Sequence, residues 1–188
     1  MGVYAYKTSG SRTNYRGLGR GEVPVKFTYI GKEGAENWDS VVGERAEGTG
    51  INSMEGALLR KRMQDFISTV DATNGVNVID IGCGNGMPVL PVLDDLINKG
   101  ISCTYVPLDI SKEMLDYACD TVRARHPHMH CKPVHLDFEL GQFSEVTYDL
   151  KKKGSTNLML FLGSTLGNHS DLNRVLSNFR DSMTSKDF

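Results

Sequence analysis

The sequence lacks any apolar run that approaches the roughly 20 residues needed to cross a bilayer. Its first twenty residues also lack the apolar centre of a secretion signal. Cysteine is scarce, with four residues and no Cys-x-x-Cys spacing, which excludes a disulfide framework and gives no zinc signature. We therefore predict a cytoplasmic protein with reduced cysteines and no membrane partner.

An excess of charge of one sign is absent as well. The 21 basic and 23 acidic residues give a net charge of −2, so nothing indicates a nucleic-acid partner. Three of the five histidines fall in the segment His126-Pro-His-Met-His130. Because this segment contains proline and joins a predicted helix to a predicted strand, we interpret the histidines as solvated loop residues and predict no metal site.

The most informative stretch is Val76–Gly86, where a run of β-branched residues ends in an acid and three alternating glycines. An amphipathic segment, Met87–Ile97, follows directly, and Pro88 suits the first turn of a helix. The run predicts a buried parallel strand, and the glycines permit positive φ and close approach of a ligand. Strand, glycine loop and helix together predict a pocket for a nucleotide-like ligand at the helix N-terminus.

The third glycine needed for a dinucleotide fingerprint, G-x-G-x-x-G, is missing because position 87 is Met87. This disfavours an NAD-type oxidoreductase. The spacing present, Asp80-x-Gly82-x-Gly84-x-Gly86, resembles the first motif of class I S-adenosylmethionine (SAM) methyltransferases. A tight strand-to-helix turn without a ligand is the alternative interpretation.

Further strands are predicted at 103–108, 132–136 and 157–162, with helices from Ser53 to about residue 70, from Ser111 to about residue 124, and after Ser170. This alternation predicts an α/β fold with a Rossmann-like parallel sheet and strand order 3-2-1-4. The chain ends where a fifth strand should begin, so the core would be incomplete after its fourth strand and helix. We expect a second copy or a further C-terminal domain to cover that sheet edge.

Three segments are predicted: a flexible tail over residues 1–23, an N-terminal helical cap over 24–72, and the ligand-binding core over 73–188. Ligands of open parallel sheets bind at the carboxyl ends of the strands. Asp109 ends the second strand, where a carboxylate can accept both hydrogen bonds of a ribose diol, or can simply complement a helix dipole. Asp137 and Phe138 end the third strand and would receive an adenine amine and ring, unless they are a loop acid and a core aromatic residue.

Several motifs together resemble the histidine-specific SAM-dependent methyltransferase family, over roughly residues 24–170. They are Pro24-Val-Lys-Phe-Thr-Tyr-Ile-Gly31, Asp80-Ile-Gly-Cys-Gly-Asn-Gly86, Tyr105-Val-Pro-Leu-Asp-Ile-Ser111, Leu136-Asp-Phe-Glu139 and Phe161-Leu-Gly-Ser-Thr-Leu-Gly-Asn168. The sequence departs from the family at Pro88, where a lysine is usual, and in the 47–55 segment, which lacks a Tyr-Tyr-Pro-Thr-Arg-like motif.

The resemblance implies a SAM-dependent methyltransferase that N-methylates an amino acid or small amine by in-line transfer. Asn168 would contact the substrate, and no residue is identified as a catalytic base. The implied SAM-binding residues are Tyr29, Gly82, Cys83, Gly84, Asp109, Ile110, Asp137, Phe138 and Gly163. A non-catalytic SAM-binding fragment is the alternative.

Overall fold

A computed structural model describes residues 4–5, 25–49, 54–151, 154–163, 165–169, 171–185 and 187–188. The described chain has an α/β fold, in which a parallel sheet carries helices on both faces. The strands are β1 (Tyr4–Ala5), β2 (Val76–Ile81), β3 (Cys103–Asp109), β4 (His130–Cys131), β5 (Val134–His135) and β6 (Thr156–Leu160). The helices are α1 (Gly31–Thr49), α2 (Met54–Thr69), α3 (Leu90–Asn98), α4 (Lys112–Arg125), α5 (Ser144–Lys151) and α6 (Leu172–Ser182).

The sheet order is β1-β5-β3-β2-β6, with β4 also pairing β3, and every pairing is parallel. This confirms the predicted α/β class and the predicted order of the four main segments. The third of those segments, predicted at 132–136, is the two-residue strand β5. β4 lies just before it, and Pro133, which has no N–H for the ladder, separates the two strands. β1 adds a strand that the sequence did not predict. Residues 1–3 and 6–23 of the predicted tail lie outside the described residues.

Side chains of β2 contribute to two hydrophobic cores, one on each face of the sheet. Val76 and Val78 of β2 belong to one core with side chains of α2, α3 and α4, whereas Ile79 and Ile81 belong to the other with α5 and α6. All six residues of β2 are buried, as its apolar composition predicted. Two of its residues are polar, Asn77 and Asp80, and the Asn77 amide reaches across to Asn157 of β6.

The structure differs from the predicted helices in three places. α3 begins at Leu90, so Pro88 lies in the preceding turn and Pro91 occupies the first helical turn. α1 and α5 were not predicted: α1 contains four glycines and has no clear apolar stripe, and α5 is only eight residues long. Ser111 caps α4 as predicted, its hydroxyl accepting from the Met114 N–H. Ser53 and Ser170 lie outside the described residues, and the α6 cap is Asp171.

The outer edge of β6 carries one described partner. The Phe188 N–H donates to the Asn157 carbonyl at 3.0 Å, and the Met159 N–H donates to the Phe188 carbonyl at 2.7 Å. This is the hydrogen-bond pattern of a parallel strand. No helix in the described part of the chain has the length and apolar character to span a membrane.

Candidate functional site

The carboxyl ends of β2, β3 and β5 surround a cavity of about 80 Å³. Its walls come from the glycine loop, the start of α4, the loop after β5, the segment after β6 and the N-terminal residues before α2. The lining residues are Lys26, Tyr29, Trp38, Gly82, Gly84, Asp109, Ile110, Met114, Asp137, Phe138, Glu139, Thr165, Asn168 and His169.

Asp109 is a buried acid on this cavity wall, with 8% of its surface exposed. Its carboxylate accepts hydrogen bonds from the backbone N–H of Ser111 at 2.9 Å and from that of Gly84 at 3.4 Å. Burial raises the pKa of Asp109, and these backbone donors oppose the rise. The carboxylate therefore joins the glycine loop to the start of α4, and one of its faces borders the cavity.

The glycine loop needs its glycines for both conformation and space. Gly84 has a φ of +52°, and a Cβ there would overlap the indole of Trp38, with the ring carbons Cζ2 and Cζ3 at 2.9 Å. A Cβ on Gly86 would lie 2.9 Å from the Cα of Ala118, so this glycine allows α4 to pack directly on the loop. The loop is thus covered by α4 on one side and by α1 on the other.

Trp38 and Lys26 bring the N-terminal region into the site. Beside Trp38, the carboxylate of Asp39 accepts a 2.8 Å hydrogen bond from the amide of Asn85 in the glycine loop. The Lys26 ammonium donates to Asp137 Oδ2 at 2.7 Å and also pairs with Glu139. Burial lowers the pKa of Lys26, but its two carboxylate partners outweigh burial and the net change is a raised pKa.

The loop after β5 carries Asp137, Phe138 and Glu139 to the cavity. Asp137 Oδ1 accepts from the Glu139 N–H at 3.1 Å, so both oxygens of this carboxylate are engaged. The Phe138 ring meets the rings of Phe161 and His169 edge to face, at centroid distances of 5.6 and 5.2 Å. Burial raises the pKa of Glu139, but Lys26 and His169 hold it below its ordinary value.

The segment after β6 closes the cavity with the 3-10 helix Thr165–Asn168 and with His169. The Thr165 hydroxyl donates to the Leu162 carbonyl at 3.1 Å and lies 3.4 Å from the Gly82 carbonyl. This contact ties the segment to the glycine loop, and it places Asn168 on the cavity wall.

Most of the predicted site residues meet at this cavity: Tyr29, Gly82, Gly84, Asp109, Ile110, Asp137, Phe138 and Asn168 all line it. Cys83 and Gly163 do not. The Cys83 side chain is buried beneath the loop, 3.9 Å from Asp109, and burial raises its pKa far above the ordinary value. Gly163 has a φ of +64°, and a Cβ added to it would have no other atom within 4 Å.

The sequence reasoning missed Lys26, Trp38, Met114, Glu139, Thr165 and His169. Four of these lie inside the motifs quoted above or directly after one, so their position in those motifs could have identified them. They are Lys26, Glu139, Thr165 and His169. Trp38 had none, because its helix was not predicted.

A larger hollow, of about 1080 Å³, lies at the opposite ends of the strands, around the starts of β2 and β3. It is lined by Cys103, Asp116, Arg123 and His130 among others. We place the site at the smaller cavity, since ligands of parallel sheets bind at the carboxyl ends of the strands. In the described parts of the chain, no three His, Cys, Asp or Glu side chains gather as metal ligands.

A family model for the histidine-specific, SAM-dependent methyltransferases matches residues 16–188. The chain belongs to this family. The members of this family depend on SAM, and the predicted resemblance to it is confirmed.

The chain is similar to two histidine N-alpha-methyltransferases. The one from Mycobacterium tuberculosis is 26% identical over 114 residues, which are 61% of this chain and 33% of that protein. The one from Mycolicibacterium smegmatis is 26% identical over 137 residues, 71% of this chain and 39% of that protein. The chain thus spans about a third to two fifths of the relatives that it matches.

Among solved structures, magnesium protoporphyrin IX methyltransferase from Synechocystis PCC 6803, with bound S-adenosylhomocysteine (SAH), superposes with a TM-score of 0.51. The match covers 84% of this chain and 65% of that chain at 14% identity. At this identity the likeness concerns the fold alone, and it agrees with the predicted class I methyltransferase architecture.

Proposed function

We propose that this chain binds SAM in the cavity at the carboxyl ends of β2, β3 and β5, and takes part in N-methylation of an amino acid or small amine. One observation carries the proposal: Asp109 and Asp137, from neighbouring strands, border the same cavity beside the glycine loop. The family supplies the identity of the cofactor, and the names of the relatives supply the class of acceptor.

The residues present fit an adenosyl ligand in their chemistry. Asp109 is a buried carboxylate that can accept from a ribose diol, and Asp137 can accept from an exocyclic amine beside the Phe138 ring. Tyr29, Gly82, Gly84 and Ile110 would complete the cofactor side, with Cys83 supporting the loop from below. Gly163 would allow backbone approach near the sulfonium, and Asn168 would orient the acceptor.

The cavity is smaller than the roughly 300–1,000 Å³ of typical small-molecule pockets. Two side chains from the N-terminal region reduce the cavity volume. The Trp38 indole lies against the glycine loop, and the Lys26 ammonium lies on Asp137. Ligand entry therefore requires Trp38 and Lys26 to shift.

SAM, when bound, supplies a methyl group on a sulfonium with a good leaving group. The protein's part is to align the acceptor nitrogen behind that methyl and to exclude water. Such positioning can contribute roughly 7–11 kcal/mol. An amine acceptor must also lose a proton before it can attack.

The first experiment is calorimetric titration of the protein with SAH and, in parallel, with NAD. We expect heat with SAH and none with NAD. Trp38 is the only tryptophan, so its emission should change when SAH enters and displaces the indole. No heat and no change in emission with SAH would contradict the proposal.

Asp109→Asn is the matching variant, and it should weaken SAH binding by about 1–3 kcal/mol, the scale for removing a charged hydrogen-bond acceptor. Asp116→Asn, at an exposed position on α4, is the control and should bind as the wild type does. Equal affinity in wild type and Asp109→Asn would refute the ribose role of this carboxylate.

A further inference from the structure

His169 follows the 3-10 helix Thr165–Asn168 directly and lines the cavity beside Asn168. Its side chain is only 8% exposed. The ring stands edge to face against Phe138, at a centroid distance of 5.2 Å. A histidine in this position is therefore buried and fixed in orientation, and it borders the place where the acceptor would meet Asn168.

One ring nitrogen of His169 has a carboxylate partner. Its Nδ1 lies 3.4 Å from Glu139 Oε1, and Glu139 is kept ionised by its pairing with Lys26. An ionised carboxylate can only accept, so Nδ1 carries a hydrogen toward Glu139. In the neutral form of the ring this makes Nε2 the nitrogen with an unshared electron pair.

The other ring nitrogen has no such partner. The Nε2 of His169 is buried, and among the described residues it has no hydrogen-bond partner. Buried polar atoms in native proteins are nearly always paired, so an exception on a cavity wall indicates a missing ligand group. That group must be a donor, because Nε2 is the acceptor end of the ring.

Besides Asp109, the charged groups that line the cavity with this ring are Glu139, Lys26 and Asp137. Asp137 and Glu139 both hold the Lys26 ammonium, and Asp137 has its second oxygen on a backbone N–H. Neither carboxylate is therefore placed to take a further proton. Among these neighbours, His169 is the group with an unused basic atom.

We propose that His169 is the general base of this site, with Nε2 accepting the proton that an ammonium acceptor loses before methyl transfer. The proposal rests on the proposed function and deepens it. In the step, R–NH₃⁺ gives one proton to Nε2, forming an imidazolium and R–NH₂. The amine lone pair then forms the N–CH₃ bond while the C–S bond breaks and its electron pair returns to sulfur. Glu139 stabilises the imidazolium through Nδ1–H.

The first test needs no turnover. Long-range ¹H–¹⁵N NMR of the ligand-free protein should show His169 neutral, protonated on Nδ1 and bare on Nε2, with His169→Gln identifying its signals among the five histidines. Glu139→Gln should shift this balance of tautomers. A hydrogen on Nε2 in the wild type would overturn the proposal, whatever is found for methylation.

The second test follows methylation of L-histidine with SAM across pH 6–9. His169→Gln should slow transfer by about a hundredfold or more near pH 7, with the KM for SAM unchanged. The deficit should shrink toward pH 9, because the acceptor then loses its proton to solvent. His128→Gln, at an exposed loop position, should match the wild type.

The two proposals fail in different ways. If the wild type binds no SAH, the proposed function is wrong, and the tautomer of His169 is still read by NMR. If SAH binds equally to wild type and His169→Gln but both transfer methyl groups at the same rate at every pH, the base assignment is wrong and the proposed function stands. If no transfer to L-histidine is seen at all, the NMR result alone decides.

Discussion

The indole of Trp38 lies against the backbone of Gly84, in the space that a side chain at position 84 would fill. This contact joins α1, which the sequence did not predict, to the glycine loop, which it did. It also explains why the cavity is small, since the ring covers the part of the loop that a ligand would approach.

Gly84→Ala should therefore cost more than backbone strain alone. Its φ of +52° already disfavours alanine, and its methyl group would displace Trp38. We expect a loss of about 1–3 kcal/mol in the free energy of unfolding and a red shift of Trp38 emission. Gly100→Ala is the matched control, because Gly100 has a φ of +72° with open space around it. Equal losses in both variants and unchanged emission would show that the Trp38 contact does not constrain position 84.

A second prediction concerns Asp80, which lies beneath the glycine loop and accepts a 3.0 Å hydrogen bond from the Tyr105 hydroxyl. Burial raises the pKa of Asp80 to about 7, and the Tyr105 hydroxyl opposes the rise only in part. Between about pH 4 and 7 the folded state then keeps a proton that the unfolded state has released. The free energy of unfolding should fall as pH rises through this window.

Asp80→Asn removes this titration, so it isolates the effect from other groups. The stability of the wild type relative to Asp80→Asn should decline with rising pH, by up to about 1.4 kcal/mol per pH unit. Urea unfolding of both proteins at several values between pH 4 and 8 measures this difference. Stability curves that run parallel over the whole range would contradict the prediction.

A third prediction concerns the polar pair inside the sheet. The amide nitrogen of Asn77 donates to Asn157 Oδ1 at 2.9 Å and to the Ser155 hydroxyl at 2.8 Å, and Asn157 donates to the Thr147 carbonyl at 3.1 Å. Asn77→Ala would leave Asn157 Oδ1 buried without its donor. We expect a loss of about 1–3 kcal/mol by denaturant unfolding.

The control for this variant is Asn98→Ala, at the exposed end of α3, which should change stability by less than about 0.5 kcal/mol. Combining Asn77→Ala with Asn157→Ala should cost less than the sum of the two single changes, since the pair shares one hydrogen bond. Strict additivity would show that the two amides act independently.

Much of the fold was predictable from local pattern. The apolar run at β2, the glycines after it and the Ser111 cap each encode their structure within a few residues. The alternation of strands and helices predicted the strand order. α1 was not predictable in this way, because its glycines and weak apolar stripe give no helical signal and its position depends on contacts with α4 and the glycine loop. Pro133 lies inside the segment predicted as the third strand, and because it has no N–H for the ladder, β5 begins only at Val134.

For the site, the sequence by itself determined which polar residues lie at or beyond the carboxyl ends of the strands. Asp109 ends β3, Asp137 follows β5 and Asn168 follows β6, and parallel pairing brings these ends to one side of the sheet. Only the tertiary structure decided what faces those residues. Lys26 reaches Asp137 across 111 positions of the chain, and Glu139 pairs with His169, which follows it in the chain only after α5 and β6. Contacts of this kind depend on side-chain direction and on burial, which no local pattern specifies, and so the base that the sequence left unidentified is inferred from the fold.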